Sequence, residues 1–277
     1  MNAPIVRIIN LSHEYEENIP AIFDISLVIP ANALMAIIGH NGAGKTTLVK
    51  HLNGLLKPSH GQVMVAGLDT RTTTVARMAR HVGYVFQNPD HQIFCPSVHE
   101  EIGFGLRNLG TEPDEVTRRV DQALCDFNLL PYAQVPPAML GFGLRRKVSL
   151  AAVLVMEPEI LVLDEPTIGL DAQSTAEVFN HVSRLHQKGH TVILVTHDMR
   201  LVAQYTNLCL VLKAGRALAF GPTRSVYSDP ELIKSAGMAL PTITALGRRM
   251  EDVGLPNDLL SVGEYVAAFA NLSESEP

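Results

Sequence analysis

No apolar stretch in the chain is long enough to cross a bilayer. Runs such as Ala151 to Met156 and Ile160 to Leu163 are broken by charge or proline well short of the roughly 18 residues a spanning helix needs. Met1 to Asn10 lacks the basic start and apolar core of a secretory signal, so the expected location is cytosolic. The three cysteines, Cys95, Cys125 and Cys209, share no metal-type or CxxC spacing and read as buried or incidental thiols, as suits that compartment. A basic run is also missing and the formal net charge is -6, which removes the electrostatic footprint of general nucleic-acid binding and of a charged membrane-surface helix. Internal repeats and low-complexity blocks are absent too. If such a protein works at a membrane, an integral partner must hold it there.

What is present is ample material for a core: 277 residues, 47% of them hydrophobic, suffice for one large domain or for one domain with an appendage. Short strands are expected at Ile5 to Leu11, Ala21 to Ile29 and Leu34 to Ile38, separated by polar or proline-containing turns. A glycine-rich turn after Gly39 leads into a helix expected over Lys45 to Leu55, stopped near Lys57-Pro58. Strand signals return at Gln62 to Gly67 and Val82 to Phe86. From about Ser97 to Glu157 the pattern is helical, clearest at Glu115 to Leu129. Ile160 to Leu163 and Thr191 to Val195 are continuously apolar, as strands buried on both faces of a parallel sheet are, with a helix expected between them over Ser174 to Lys188. Strands and turns resume at Val211; Ser225 to Leu272 reads as a helical appendage and Ser273 to Pro277 as a disordered tail.

Gly39-His40-Asn41-Gly42-Ala43-Gly44-Lys45-Thr46 is a complete GxxxxGK[ST] phosphate-binding loop between an expected strand and an expected helix. Its glycines let backbone N–H groups turn inward around a phosphate, and the helix N-terminus adds a favourable dipole. Lys45 is placed to meet the β- and γ-phosphates and the Thr46 hydroxyl to ligate Mg²⁺, with Thr47 beside it among the nucleotide-binding candidates. Ile160 to Leu163 then delivers Asp164 and Glu165 at the C-terminal edge of a buried strand, where an open α/β sheet binds its ligands. Asp164 is the candidate for holding the metal through water, Glu165 for polarising the attacking water.

Asp164-Glu165-Pro166-Thr167, then Gly169-Leu170-Asp171, then Val195-Thr196-His197-Asp198 resembles the ordered motif series of ABC ATPases, over about residues 5 to 225. The resemblance implies an α/β P-loop fold with an antiparallel β subdomain and a helical subdomain at about residues 90–157. The ABC ATPase domain is then expected at 1–224, with a small helical extension at 225–277. It further implies ATP and Mg²⁺ as ligands, Gln87 as the glutamine that reads the metal and the transmembrane partner, Asp171 as the D-loop aspartate, and His197 as the γ-phosphate contact. Tyr15 lies where the family stacks an aromatic ring on adenine.

Phe86-Gln87-Asn88-Pro89-Asp90-His91-Gln92-Ile93-Phe94, Glu100-Glu101-Ile102-Gly103-Phe104-Gly105 and Asp229-Pro230-Glu231-Leu232 are similar to segments of ATPases from energy-coupling factor transporters, which import vitamins and transition-metal ions. That likeness implies a transmembrane scaffold docking near Gln87 to Phe94, a separate solute-binding membrane protein, and a peripheral place on the cytoplasmic face of the cell membrane. One departure stands out. Where the family has Leu-Ser-Gly-Gly-Gln, this chain reads Leu140-Gly141-Phe142-Gly143-Leu144. Gly141 and Gly143 keep N–H groups for a partner's nucleotide, but the serine hydroxyl and the glutamine amide are gone. A heterodimer with a second ABC ATPase of intact signature is therefore expected over a homodimer. Two other readings stay open: a regulatory subunit with little turnover, which the altered signature favours, and a soluble non-transport ABC ATPase. Only 95 positions separate Lys45 from Leu140, with no room for the long coiled coil that the latter usually carries.

Overall fold

The computed structural model describes residues 4–16 and 19–274, arranged around two sheets. Strands β1 (Pro4–Tyr15), β2 (Ile19–Pro30), β4 (His60–Val65) and β5 (Leu68–Asp69) form an antiparallel sheet in the order β2-β1-β4-β5. Strands β3 (Leu34–Ile38), β6 (Val82–Val85), β7 (Ile160–Asp164), β8 (Thr191–Val195), β9 (Leu208–Lys213) and β10 (Arg216–Pro222) form the second, in the order β10-β9-β3-β8-β7-β6. All its neighbours run parallel except β10, which returns antiparallel along β9. The uninterrupted apolar runs of β3, β7 and β8 are buried at every residue, as strands covered on both faces must be.

Helix α1 (Lys45–Leu52) sits between the sheets, and Leu48, Val49 and Leu52 join Ile22, Ile37, Val63 and Val195 in one core. It is shorter than the sequence pattern predicts, because Gly54 takes a left-handed φ of 74° that ends the helix before Leu55. A four-residue α2 (Val75–Met78) follows. The helical region holds α3 (Val98–Leu109), α4 (Pro113–Asp126) and α5 (Phe142–Leu154), around a second core of Ile102, Val120, Leu124, Val148 and Leu163. The stretch from Phe127 to Gly141, expected to be helical, contains only two 3₁₀ turns, each built on prolines. Helix α6 (Ala172–Gln187) connects β7 to β8.

Helices α7 (Met199–Tyr205), α8 (Thr223–Tyr227), α9 (Pro230–Ser235), α10 (Thr242–Arg249) and α11 (Val262–Glu274) complete the chain. The C-terminal helices do not stand apart. Tyr227 is fully buried and donates its hydroxyl to the Met199 carbonyl at 3.0 Å, in a third core with Ala36, Ile38, Val211 and Ile233. Of the segment read as a disordered tail, Ser273 and Glu274 are the last residues of α11, and residues 275–277 lie outside the described residues. Among the described residues no helix is long and apolar enough to cross a membrane.

Candidate active site

The turn from β3 into α1 is shaped by what lies next to it. Gly39 has φ 149°, and a Cβ there would fall 2.2 Å from the Leu212 carbonyl oxygen of β9, so only glycine fits. Ala43 N donates to His40 O at 3.1 Å, and Gly44, at φ 99°, is the N-cap of α1 with no side-chain cap. The first-turn N–H groups of α1 are thus left for a ligand. The buried Lys45 folds back over the loop, its Nζ donating to Gly39 O at 2.8 Å and His40 O at 3.1 Å. Burial lowers the pKa of this ammonium, and the charges of Glu165 and Asp164 oppose that shift.

Strand order brings the acids to this loop. Thr46 Oγ1 donates to Asp164 Oδ2 at 2.9 Å, and the buried Tyr84 hydroxyl, from β6, donates to the same oxygen at 3.0 Å. Asp164 Oδ1 is buried with no protein partner. Burial raises the Asp164 pKa; the Thr46 and Tyr84 hydrogen bonds pull it back. A hydroxyl and a carboxylate oxygen with a free lone-pair face are hard oxygen donors, the set that suits Mg²⁺, so these residues fit that ion. The next residue, Glu165, has φ 48°, the left-handed region, with its N–H on Val195 O at 2.8 Å. Its side chain is 7% exposed; Oε1 pairs with His197 Nδ1 at 2.9 Å and Oε2 accepts from Thr196 Oγ1 at 3.4 Å.

Tyr15, Asn41 to Thr47, Gln87, Asp164 and Glu165 line one cleft of about 600 Å³. Gly39, His40 and His197 border it on an adjoining groove, whose far wall is the Gly237–Thr242 turn of the C-terminal segment. The Tyr15 hydroxyl pairs with Thr47 Oγ1 at 2.9 Å, and the ring edge meets His13 with centroids 4.9 Å apart. Gly141, Gly143 and Asp171 are not in this cleft. Gly141 is the N-cap of α5, Asp171 caps α6 by accepting from Ser174 N at 2.7 Å, and the hydrogen bonds to Ser174 lower its pKa. The two loops touch through Phe142, whose ring lies on Gly169: a Cβ there would sit 2.5 Å from Phe142 Cδ1. Several residues of the site were not singled out as such in the sequence. Tyr84 reads as a core strand aromatic, and Phe23, from β2, and Gly215, from the turn between β9 and β10, line the cleft. Arg146, given no role in the sequence, is fully buried.

Residues 22–168 match the ABC transporter family. The chain belongs to that family. The energy-coupling factor transporter ATP-binding protein EcfA1 of Methanospirillum hungatei is 39% identical, with 92% of each chain covered. EcfA1 of Clostridium novyi is 35% identical over 98% of this chain and 100% of its own length. A putative ABC transporter ATP-binding protein of Caldanaerobacter subterraneus is 38% identical over 95% of this chain, which spans only 45% of that longer relative. Among solved structures, cbiO1 from Clostridium perfringens, part of the ABC transporter complex cbiONQ, superposes with a TM-score of 0.72 at 33% identity, covering 90% of this chain and 99% of its own. A dimeric ATP-binding cassette, MJ0796, bound to ADP and Pi, superposes at 0.73 with 25% identity, over 79% and 98%. The fold is that of the ABC ATPases, whose domain takes ATP with Mg²⁺.

Proposed function

We propose that this chain is the ATP-hydrolysing subunit of an energy-coupling factor type transporter that imports a transition-metal ion or a vitamin. In this reading it sits peripherally on the cytoplasmic face of the cell membrane, held by a transmembrane scaffold and serving a separate solute-binding membrane protein. The observation that carries the ATPase role is the oxygen cluster at the β7 edge. Asp164 keeps one buried, unpartnered carboxylate oxygen beside Thr46, and Glu165 is held by His197 within the same cleft. The transporter subtype rests on the EcfA1 relatives and on the segment from Gln87 to Phe94.

Phosphoryl transfer to water needs positioning and charge neutralisation more than covalent chemistry. Lys45 and the bare N-terminus of α1 bind the phosphates and offset their charge. Thr46 and Asp164 would hold Mg²⁺, which would supply charge neutralisation for the phosphates when bound. Gln87, at the cleft wall, is the link between that metal and the scaffold. Glu165 orients the attacking water and accepts its proton; His197 holds the Glu165 carboxylate and is assigned the γ-phosphate contact by its motif. Tyr15 is the adenine platform. A groove of about 730 Å³, walled by Leu55, Val75, Phe86, Phe104 and Met156, adjoins the Gln87 to Phe94 segment at Phe86 and in this reading receives a coupling helix. Exposed Phe94 packs edge-on against Phe104 at 4.7 Å there, an apolar handle for that helix.

The altered signature makes the working assembly an asymmetric heterodimer, with a second ABC ATPase completing the site built on Lys45 and Glu165. In the intact transporter, Glu165→Gln is expected to leave ATP binding in place and abolish transport, while the partner's equivalent change has a milder effect. Equal losses from the two changes refute the asymmetry, and full hydrolysis by the doubly blocked complex refutes the role of Glu165.

A further inference from the structure

Helix α5 opens directly after Gly141, and its second turn carries a guanidinium that solvent does not reach. Arg146 is 0% exposed and donates to five backbone carbonyls in two separate segments. Nε reaches Pro166 O at 3.0 Å, and Nη2 reaches Asp164 O at 3.0 Å and also Glu165 O. Nη1 reaches Gln87 O at 3.2 Å and also Phe86 O. Burial lowers its pKa to about 10, against the charges of Asp164 and Glu165, so it remains a cation at neutral pH. A buried charge is costly, and a side chain needed only for packing would serve better as an apolar one. The planar fork of arginine is instead suited to gathering several fixed acceptors at once.

The acceptors are the backbone of the residues that face the cleft. Glu165 sits at φ 48°, a conformation a non-glycine residue keeps only when its surroundings hold it. Its carbonyl is one of those Arg146 binds. The same helix is fastened to the Gln87 segment at two further levels. Arg145 Nε lies 3.0 Å from Asp90 Oδ1. Gln92 Nε2 donates to Ser149 O at 2.7 Å, while Gln92 Oε1 accepts from Phe86 N at 3.3 Å.

We propose that Arg146 is a positioning residue of the ATPase reaction, tying the strained Glu165 backbone and the Gln87 carbonyl to the helix that begins at Gly141. The three segments then move as one body, so displacement of the Gln87 segment by a membrane partner carries directly to the water-orienting carboxylate. The inference rests on the reading of this cleft as hydrolytic. Arg146 bonds no residue of the phosphate loop itself, so its loss should lower turnover and leave nucleotide binding nearly intact.

The test uses the assembled complex with the partner ATPase's catalytic glutamate blocked, and measures ATP affinity and the single-turnover rate per ATP-loaded site. Arg146→Gln is expected to slow that rate at least 10-fold with affinity within threefold of the parent. Arg146→Lys, which keeps the charge but cannot span two segments, should fall between them. Single-turnover rates within threefold of the parent for both variants overturn the positioning role. So does a loss of rate that merely follows the loss of folded, nucleotide-binding protein. Absence of hydrolysis by the parent complex overturns the hydrolytic reading instead. Should both variants fail to fold, the parent's own Arg146 Nε–H resonance decides: it should be protected from solvent exchange both ligand-free and with ADP trapped. Exchange as fast as that of an exposed arginine in either state overturns the clamp.

Discussion

Tyr84→Phe removes one hydroxyl from the candidate site and changes no packing, so its consequence can be worked from geometry. The hydroxyl is buried and donates to Asp164 Oδ2 at 3.0 Å; burial and the neighbouring carboxylate raise its pKa, which keeps it a donor at every working pH. Loss of a hydrogen bond to a buried charged acceptor costs about 1.5–3 kcal/mol, and for a chain of this size each kcal/mol lowers Tm by roughly 2–4 °C. The variant should therefore melt about 3–12 °C below the parent in thermal unfolding. The oxygen left for Mg²⁺ is the unpartnered Oδ1, not the one Tyr84 binds. The deficit should then persist at saturating Mg²⁺-ATP. A variant that melts with the parent when ligand-free would refute the strength assigned to this bond. A deficit that vanishes with Mg²⁺-ATP would show that the ligand takes over Oδ2.

Lys45→Ala removes the charge-assisted contact to the phosphates and should weaken ATP binding by about 10- to 100-fold in calorimetric titration; unchanged affinity would remove Lys45 from the site. His51 is fully buried, with Nδ1 on Thr47 O at 2.8 Å, and burial lowers its pKa from 6.5 to about 4. The unfolded chain therefore binds a proton that the folded one refuses: stability from this residue is complete above pH 6.5 and is lost as pH falls toward 4. Urea unfolding of His51→Gln between those limits should show a shallower acid loss than the parent, by an amount on the order of 2–3 kcal/mol, and parallel curves would contradict it. Restoring Gly141→Ser, Phe142→Gly and Leu144→Gln together, in a complex carrying Glu165→Gln, should raise the residual turnover of the opposite site by about 10-fold or more. No rise would mean that the loop, with Phe142 on Gly169, already supports that site.

What could be read along the chain was what covalent spacing supplies. The phosphate loop is eight consecutive residues between a strand and a helix, so its chemistry is local, and Leu34 to Ile38 and Thr191 to Val195 are strands to the residue. The acids at Asp164 and Glu165 followed from the same logic, because a buried parallel strand must end at the sheet edge where ligands bind. Local reading failed where a turn overruled periodicity, as at Gly54 after α1 and at the prolines between α4 and α5.

Tertiary structure alone decided which distant residues serve that edge. His197 was already named by its motif, but only the order β3-β8-β7-β6 sets it against Glu165 and sends the Tyr84 hydroxyl to Asp164 across 80 residues, and no period in the sequence encodes that order. Arg146 is the sharpest case. One turn of helix along from Gly141 it reads as one more cation beside Arg145 and Lys147. Only when β6 and β7 lie side by side do two sets of strand-end carbonyls converge, leaving acceptors that a single buried guanidinium can satisfy together.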